Sequence, residues 1–243
     1  MLHQSSYQLT SKLMYQNKVI KVVIPAYNEE QSIGLVLRDI PSFVDEVIVV
    51  NNNSSDETFN AAKLCGATVL TEIRKGYGSA CLKGLKYISD TNGCDIVVFI
   101  DADYSDHPEE MSKLLVPIFN NNMDMVIGSR ALGNREVGSM TPQQVFGNKL
   151  AVFLIKIFFK YQFTDLGPFR AITWKSLQQI NMIDTNFGWT VEMQVKALKH
   201  KLNCAEVPVS YRKRTLGVSK VSGTIKGSLM AGYKIIKTIF KYA

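Results

Sequence analysis

The 243-residue chain has little cysteine, and its four (Cys65, Cys81, Cys94 and Cys204) form no C-x-x-C pair. That excludes a disulfide framework and the common cysteine-based metal motifs. Each lies in or beside a hydrophobic periodic segment, which predicts reduced core thiols in a cytosolic protein. No uncharged apolar run approaches the roughly 20 residues that cross a bilayer as a helix, so no span is expected. Residues 1–17 are polar and lack the apolar centre of a secretory signal, which predicts a loose arm and no export. Acid is missing from one end: Tyr211 to Ala243 holds neither Asp nor Glu, while Arg212, Lys213, Arg214, Lys220, Lys226, Lys234, Lys237 and Lys241 accumulate there, in a chain of net charge +7. Such an end calls for an anionic neighbour, whether nucleic acid, an anionic membrane or a phosphorylated substrate. A reading helix or aromatic stacking array is also missing, so no nucleic-acid partner is expected.

What is present is an ordinary globular balance, 46% hydrophobic and 20% charged, enough for one large α/β domain. Short β-branched runs at Val19–Ile24, Val47–Val50, Thr68–Leu70, Ile96–Ile100 and Met125–Ile127 read as strands. Helical patterns near Ser32–Ile40, Asp56–Leu64, Gly78–Ile88 and Pro108–Asn120 separate them. This βαβα alternation predicts a doubly wound, mostly parallel sheet flanked by helices. After an arm at 1–17, a single domain over 18–243 is expected, with a first half to about 130 and a second, membrane-facing half beyond it. Ligands of such sheets bind beyond the carboxyl ends of the strands, so the residues closing each strand carry the most information.

The first strand closes in Pro25-Ala26-Tyr27-Asn28-Glu29-Glu30, where Asn28 could equally cap the next helix. The second closes in Asn51-Asn52-Asn53-Ser54-Ser55-Asp56-Glu57-Thr58, a cluster that either hydrogen-bonds a nucleobase or forms a turn and cap. The fourth runs from Val97-Val98-Phe99-Ile100 directly into Asp101-Ala102-Asp103. Two carboxylates at alternate positions suit Mg²⁺ or Mn²⁺, hard cations that take oxygen ligands and share them with substrate phosphates. The bland alternative is a solvated acidic turn. Later, Val145–Phe163 places Lys149, Lys156 and Lys160 among large apolar residues. Residues 225–242 repeat the theme with Lys234, Lys237 and Lys241 beside Ile235, Ile236, Ile239 and Phe240. Both read as amphipathic helices lying in a membrane interface, or else as ordinary packed or subunit-contacting helices, and an oligomer stays open.

Taken in order, V-I-P-A-Y-N-E-E, V-V-N-N-N-S-S-D-E-T, G-Y-G-S-A from Gly76 to Ala80, D-A-D and G-S-R from Gly128 to Arg130 resemble glycosyltransferase family 2 across most of the chain. Asp165-Leu166-Gly167-Pro168-Phe169-Arg170 and Arg214-Thr215-Leu216-Gly217-Val218-Ser219-Lys220 are similar to elements of dolichyl-phosphate mannose synthases and bacterial polyprenyl-phosphate hexosyltransferases. The resemblance implies a GT-A fold, a nucleoside-diphosphate sugar donor, a divalent metal, inversion at the anomeric carbon and a polyprenyl-phosphate acceptor. Its residue roles would put Pro25, Ala26, Tyr27, Glu29, Asn51, Asn52, Asp56 and Gly76 at the donor, and Asp101 and Asp103 at the metal diphosphate. Arg130, Asp165, Arg170, Arg214, Ser219 and Lys220 would serve phosphate groups, and Glu192 would be the base if one is needed. The family usually carries two Asp where this chain has Asn51 and Asn52. An amide can accept from uracil N3–H and donate to O4, which favours a UDP-sugar over GDP-mannose. The protein is then expected on the inner face of the cytoplasmic membrane, held peripherally. A sugar-hydroxyl acceptor, or a catalytically silent nucleotide binder, are the competing expectations.

Overall fold

The computed structural model describes residues 15, 17–217 and 225–243, with side chains of the last segment described from residue 230. Strand β1 (Ile20–Ala26) is buried along its whole length, as expected of a strand covered on both faces. Helix α1 (Ile33–Asp39) leads to β2 (Glu46–Asn51), α2 (Thr58–Leu64), β3 (Thr68–Thr71), α3 (Tyr77–Asp90) and β4 (Ile96–Phe99). A short 3₁₀ turn at Pro108–Glu110 opens α4 (Met111–Asn121), followed by β5 (Met125–Ser129). These five strands and four helices lie where the alternation of β-branched and helical patterns predicts them.

The second half departs from simple alternation. Helix α5 (Pro142–Phe159) starts on a capping box in which the Thr141 side chain and Gln144 satisfy each other's backbone N–H. Then come β6 (Arg170–Thr173), α6 (Trp174–Ile180), α7 (Trp189–Lys199), β7 (Cys204–Pro208) and α8 (Ile225–Tyr242). The seven strands form one sheet in the order β3-β2-β1-β4-β6-β5-β7. Strand β6 lies antiparallel between β4 and β5, and every other pairing is parallel. The two halves of the chain thus share a sheet, and β6 brings the segment after α5 alongside the carboxyl end of β4.

Alternate strand residues face opposite layers. Val23, Ile48, Val50, Val97 and Phe99 pack with Trp189, Val191 and Ile239 on one side, and Ile24, Val49, Val98 and Ile100 pack with Val36, Leu114 and Leu115 on the other. One sequence expectation is corrected here. Of the four free cysteines only Cys81 is buried, and Cys65 is exposed at the end of α2; a hydrophobic period does not say which face of a helix a thiol takes. The expected loose arm falls mostly outside the described residues; Tyr15 within it is 4% exposed and packs at a tilt against Phe43 and Phe119, at centroid distances of 4.8 and 4.9 Å. The structure contains no helix, among the described residues, long and apolar enough to cross a membrane.

The loop before α7 is pressed against the start of α3. A Cβ on Gly78 would sit 2.0 Å from the Asp184 carbonyl oxygen. Gly78→Ala is therefore expected to lower the unfolding free energy by about 1–3 kcal/mol, the usual cost of overpacking against backbone. Urea denaturation measures this directly, and an unchanged midpoint would mean that the 184–185 loop yields freely.

Candidate active site

The carboxyl ends of β1 and β4 open onto a cleft of ≈ 650 Å³. After β1 the chain turns through Asn28, whose φ of 54° is left-handed. Its side-chain oxygen accepts from Ser55 N–H at 2.8 Å, and Glu29 N–H donates to the Thr58 hydroxyl at 2.7 Å. The Asp56 carboxylate accepts from Thr58 and from Glu30 N–H. Burial would raise the Asp56 pKa, but those hydrogen bonds outweigh it and hold the group below its ordinary value. Asp56 is thus a staple between the loops after β1 and β2 and does not line the cleft.

The asparagine pair is also explained by backbone. The Asn51 side-chain oxygen accepts from Ser54 N–H at 3.2 Å. The Asn52 amide donates to the carbonyls of Glu72 and Arg74 at 3.1 and 2.8 Å, and its oxygen accepts from Gly76 N–H at 2.8 Å. Both Asn52 amide hydrogens are therefore spent on fixing the 72–76 loop, which leaves that side chain no donor for a uracil O4. Gly76 is needed at its position: φ is 143°, and a Cβ would lie 2.1 Å from the Thr185 carbonyl oxygen. Pro25, Ala26, Tyr27, Glu29, Asn52 and Gly76 all line the cleft; Asn51 does not.

Asp101 and Asp103 both line it too. Asp101 accepts from the Tyr77 hydroxyl at 3.0 Å. Its pKa is pushed up to about 7, first by burial and then by the charge of Asp103. Asp103 accepts from Ser105 N–H at 3.0 Å and faces Arg214 Nη1 at 3.4 Å. Arg214 spans the site: its Nη2 also donates to the Glu29 carboxylate at 2.6 Å, while Nε holds the Leu216 carbonyl at 2.8 Å. Burial is the largest influence on Glu29 and leaves its pKa raised despite Arg214.

Arg130, at the end of β5, donates through Nε and Nη2 to Asp165 at 2.7 Å each, and Asp165 also takes the Arg130 N–H at 2.8 Å. Burial alone would lower the Arg130 pKa, but Asp165 outweighs it and holds the guanidinium above its ordinary value. Arg130 lines the cleft; Asp165, 1% exposed, sits behind it and orients it. Three expectations fail. Asp165 does not meet an acceptor phosphate itself. Arg170 is wholly buried in β6 and donates to the carbonyls of Leu166, Gly167 and Thr190, so it faces no ligand. Burial brings its pKa down to about 10. Glu192 is 1% exposed, accepts from Asp184 N–H at 2.7 Å and the Tyr242 hydroxyl at 2.9 Å, and pairs with Lys196 at 2.9 Å. It is a structural carboxylate at the start of α7, remote from the role of base. Ser219 and Lys220 lie outside the described residues.

The donor set fits a hard divalent cation on one condition. Asp101 and Asp103 supply carboxylate oxygens at the cleft, and the raised Asp101 pKa marks a charge that a cation would relieve. No group of three metal-ligating side chains occurs among the described residues, so further oxygens would have to come from substrate phosphates and water. Sequence reasoning missed Lys75, Tyr77 and Trp189, which all line the cleft. The G-Y-G-S-A motif was the available signal for Tyr77; nothing local marks the other two.

A family model described as glycosyl transferase family 2 matches residues 21–181. An uncharacterised glycosyltransferase of Mycobacterium tuberculosis is 33% identical over 214 residues, 87% of this chain and 94% of that protein. The UDP-N-acetylglucosamine–dolichyl-phosphate N-acetylglucosaminyltransferase of Methanococcus voltae is 28% identical, covering 90% and 94%. The undecaprenyl-phosphate mannosyltransferase of Micrococcus luteus is 30% identical, covering 86% and 89%. Among solved structures, glucosyl-3-phosphoglycerate synthase of Mycobacterium tuberculosis with Mn²⁺, UDP and phosphoglyceric acid superposes at a TM-score of 0.74 with 22% identity, over 95% of this chain and 80% of that one. The fold is of the GT-A type.

The raised Asp101 pKa sets a pH dependence for the metal-free protein. A carboxyl that holds its proton more tightly when folded stabilises the fold fully below its unfolded pKa, and that stability is lost as pH rises through about 7. In chelator, Asp101→Asn should raise the thermal midpoint at pH 8, and the advantage should shrink as pH falls toward the ordinary carboxylate range. Equal shifts at both pH values would place the Asp101 charge in solvent.

Proposed function

The chain belongs to glycosyltransferase family 2, and from that premise we propose that it transfers a hexose, with inversion, from a UDP-sugar to a polyprenyl phosphate. The observation that carries the acceptor assignment is that no base is free for an acceptor: Glu192, the carboxylate available as a base, is buried and fully partnered, while Arg130 and Arg214 face the cleft. A sugar-hydroxyl acceptor needs a base to take its proton, whereas a phosphate is already ionised near neutral pH. The carboxylates that remain on the cleft, Glu29, Asp101 and Asp103, are those assigned to the donor. Two relatives named for dolichyl and undecaprenyl phosphate support the same acceptor, and the first of them supports the uridine nucleotide.

In this reading Pro25, Ala26, Tyr27 and Glu29 hold the nucleoside along the end of β1, and Lys75 lies near the diphosphate. Asp101 and Asp103 would hold Mg²⁺ or Mn²⁺, which offsets charge on the departing diphosphate. Arg130, fixed by Asp165, keeps a guanidinium aimed into the cleft without reorganisation at the moment of reaction. Arg214, which pairs with Glu29 and Asp103, would turn to phosphate oxygens of the bound substrates. The acceptor oxygen then attacks the anomeric carbon from the face opposite the leaving UDP.

The protein works, in this proposal, peripherally on the inner membrane face. Exposed Phe146, Lys149, Phe153, Lys156, Ile157 and Lys160 follow one stripe of α5, and Met230, Tyr233, Lys237 and Phe240 follow one of α8. The helices meet at Phe158 and Phe240, 5.1 Å between centroids, and neither contains Asp or Glu. Apolar and cationic side chains mixed on one exposed face suit an anionic interface, with about 1 kcal/mol per lysine at low salt.

Two assays test this. Labelled hexose from UDP-glucose or UDP-N-acetylglucosamine should appear on a polyprenyl phosphate only with Mg²⁺ or Mn²⁺, and Asp103→Ala should lower kcat/KM by at least about 100-fold; transfer from GDP-mannose alone would overturn the nucleotide assignment. Vesicle flotation should show binding to anionic but not zwitterionic bilayers, weakened by salt and by Lys156→Glu with Lys237→Glu. Salt-independent binding, or none, would remove the interfacial role of α5 and α8.

A further inference from the structure

The cleft that holds Asp101 and Asp103 continues past the polar residues. The rest of its wall includes Gly147 on α5 and Ala231, Gly232 and Ile235 on α8, with Phe187 and Trp189 from the start of α7. Gly147 and Gly232 stand inside helices, where glycine costs about 1 kcal/mol relative to alanine. Neither has a positive φ. A Cβ built on either meets no described heavy atom within 4 Å, in contrast to Gly76 and Gly78, where it would strike backbone at 2.1 and 2.0 Å. Turn geometry and close packing therefore explain Gly76 and Gly78 but not this pair. Among the described residues, what the pair does is leave open space in the wall between α5 and α8.

We propose that Gly147 and Gly232 keep open a slot for the first isoprene units of the lipid acceptor, so that these two positions decide whether a branched apolar tail can enter behind its phosphate. The inference rests on the polyprenyl-phosphate reading and adds the path of the tail. Three features argue for that occupant. The slot is continuous with the cleft onto which Arg130 and Arg214 face, where an acceptor phosphate would sit. Its wall on α8, at Ala231, Gly232 and Ile235, offers hydrocarbon and helix-bonded backbone, and of the polar side chains of α5 that also line the cleft, Gln144 and Asn148 are already held by Thr141, Thr164 and Leu166. And α5 and α8, which form it, are the helices whose outer faces carry exposed Phe153, Tyr233 and Phe240, so a tail leaving the slot passes onto apolar surface instead of water.

The test is to fill the slot. Gly147→Phe and Gly232→Phe put a ring into open space and raise helix propensity, so the fold is expected to hold, with a thermal midpoint no lower than wild type. In detergent micelles, which remove any contribution of vesicle docking, each should lower kcat/KM for a polyprenyl phosphate by about 10-fold or more, chiefly through KM. The alanine variants should fall between, and the affinity for UDP with Mn²⁺ should stay unchanged. Binding of a fluorescent short-chain prenyl phosphate, measured with UDP present, gives a readout that needs no turnover. Phe variants that transfer and bind like wild type would overturn the slot, as would variants that lose UDP affinity in step. If wild type transfers to no polyprenyl phosphate and binds none, the acceptor reading itself fails. If it binds the prenyl phosphate without transfer, and the Phe variants lose that binding, the slot stands and the reaction is what must be revised.

Discussion

The structure depends on how negative charge is tolerated at the carboxyl end of β4. Asp101, Asp103 and Asp106 fall within six residues, and Asp165 and Glu29 approach from other segments. Ions of like sign in a poorly solvated site repel strongly, and each must be paired, protonated or metal-bound. All three solutions are in use or on offer. Asp165 is paired with Arg130, and Glu29 with Arg214. The Asp106 carboxylate, 2% exposed and without a hydrogen-bond partner among the described residues, has its pKa raised well above normal, by burial first and Asp101 second, which favours its protonated form. Asp101 and Asp103 are left facing the cleft, where a cation and a diphosphate would complete them.

That constraint explains why the second half of the chain is needed at a site whose acids come from the first. Arg130 and its partner Asp165 straddle α5. Arg214 arrives from beyond β7 to reach across Glu29 and Asp103. The same half ties the exposed helices to the donor side: Lys234 of α8 pairs with Asp184 at 2.7 Å, and Tyr242 bonds Glu192. Asp184 begins the loop that presses on Gly76 and Gly78. The face proposed to meet the membrane is thus joined, through a few side-chain contacts, to the loop bordering the donor.

The first five strands and four helices were legible because each is a β-branched run or amphipathic stretch in regular alternation. Strands β6 and β7 were not. They have four and five residues, β6 begins with a buried arginine just after Pro168, and its antiparallel insertion between β4 and β5 leaves no mark in local pattern. At the site, Asp101 and Asp103 of the D-x-D motif line the cleft, and their place there was legible because they directly follow a buried strand, at the sheet edge where ligands of such folds bind. Asn51, Asn52 and Asp56 were harder: amides and carboxylates that serve ligands and those that staple loops look alike until the opposing backbone is in place. Arg170 and Glu192 were misread because full burial of an ion, paid for by backbone partners from distant segments, is the least local property a sequence can encode.

The most direct measurement of the central claim is the mass spectrum of the lipid fraction after incubation with a UDP-hexose, a divalent cation and a polyprenyl phosphate. One new species is expected, equal to the lipid phosphate plus a single hexosyl group, labile to mild acid and, by NMR of the intact glycosyl phosphate, inverted in anomeric configuration relative to the donor. A lipid phosphate left unmodified, with the hexose instead on a hydroxyl of a lipid-linked glycan supplied in the same incubation, would contradict it.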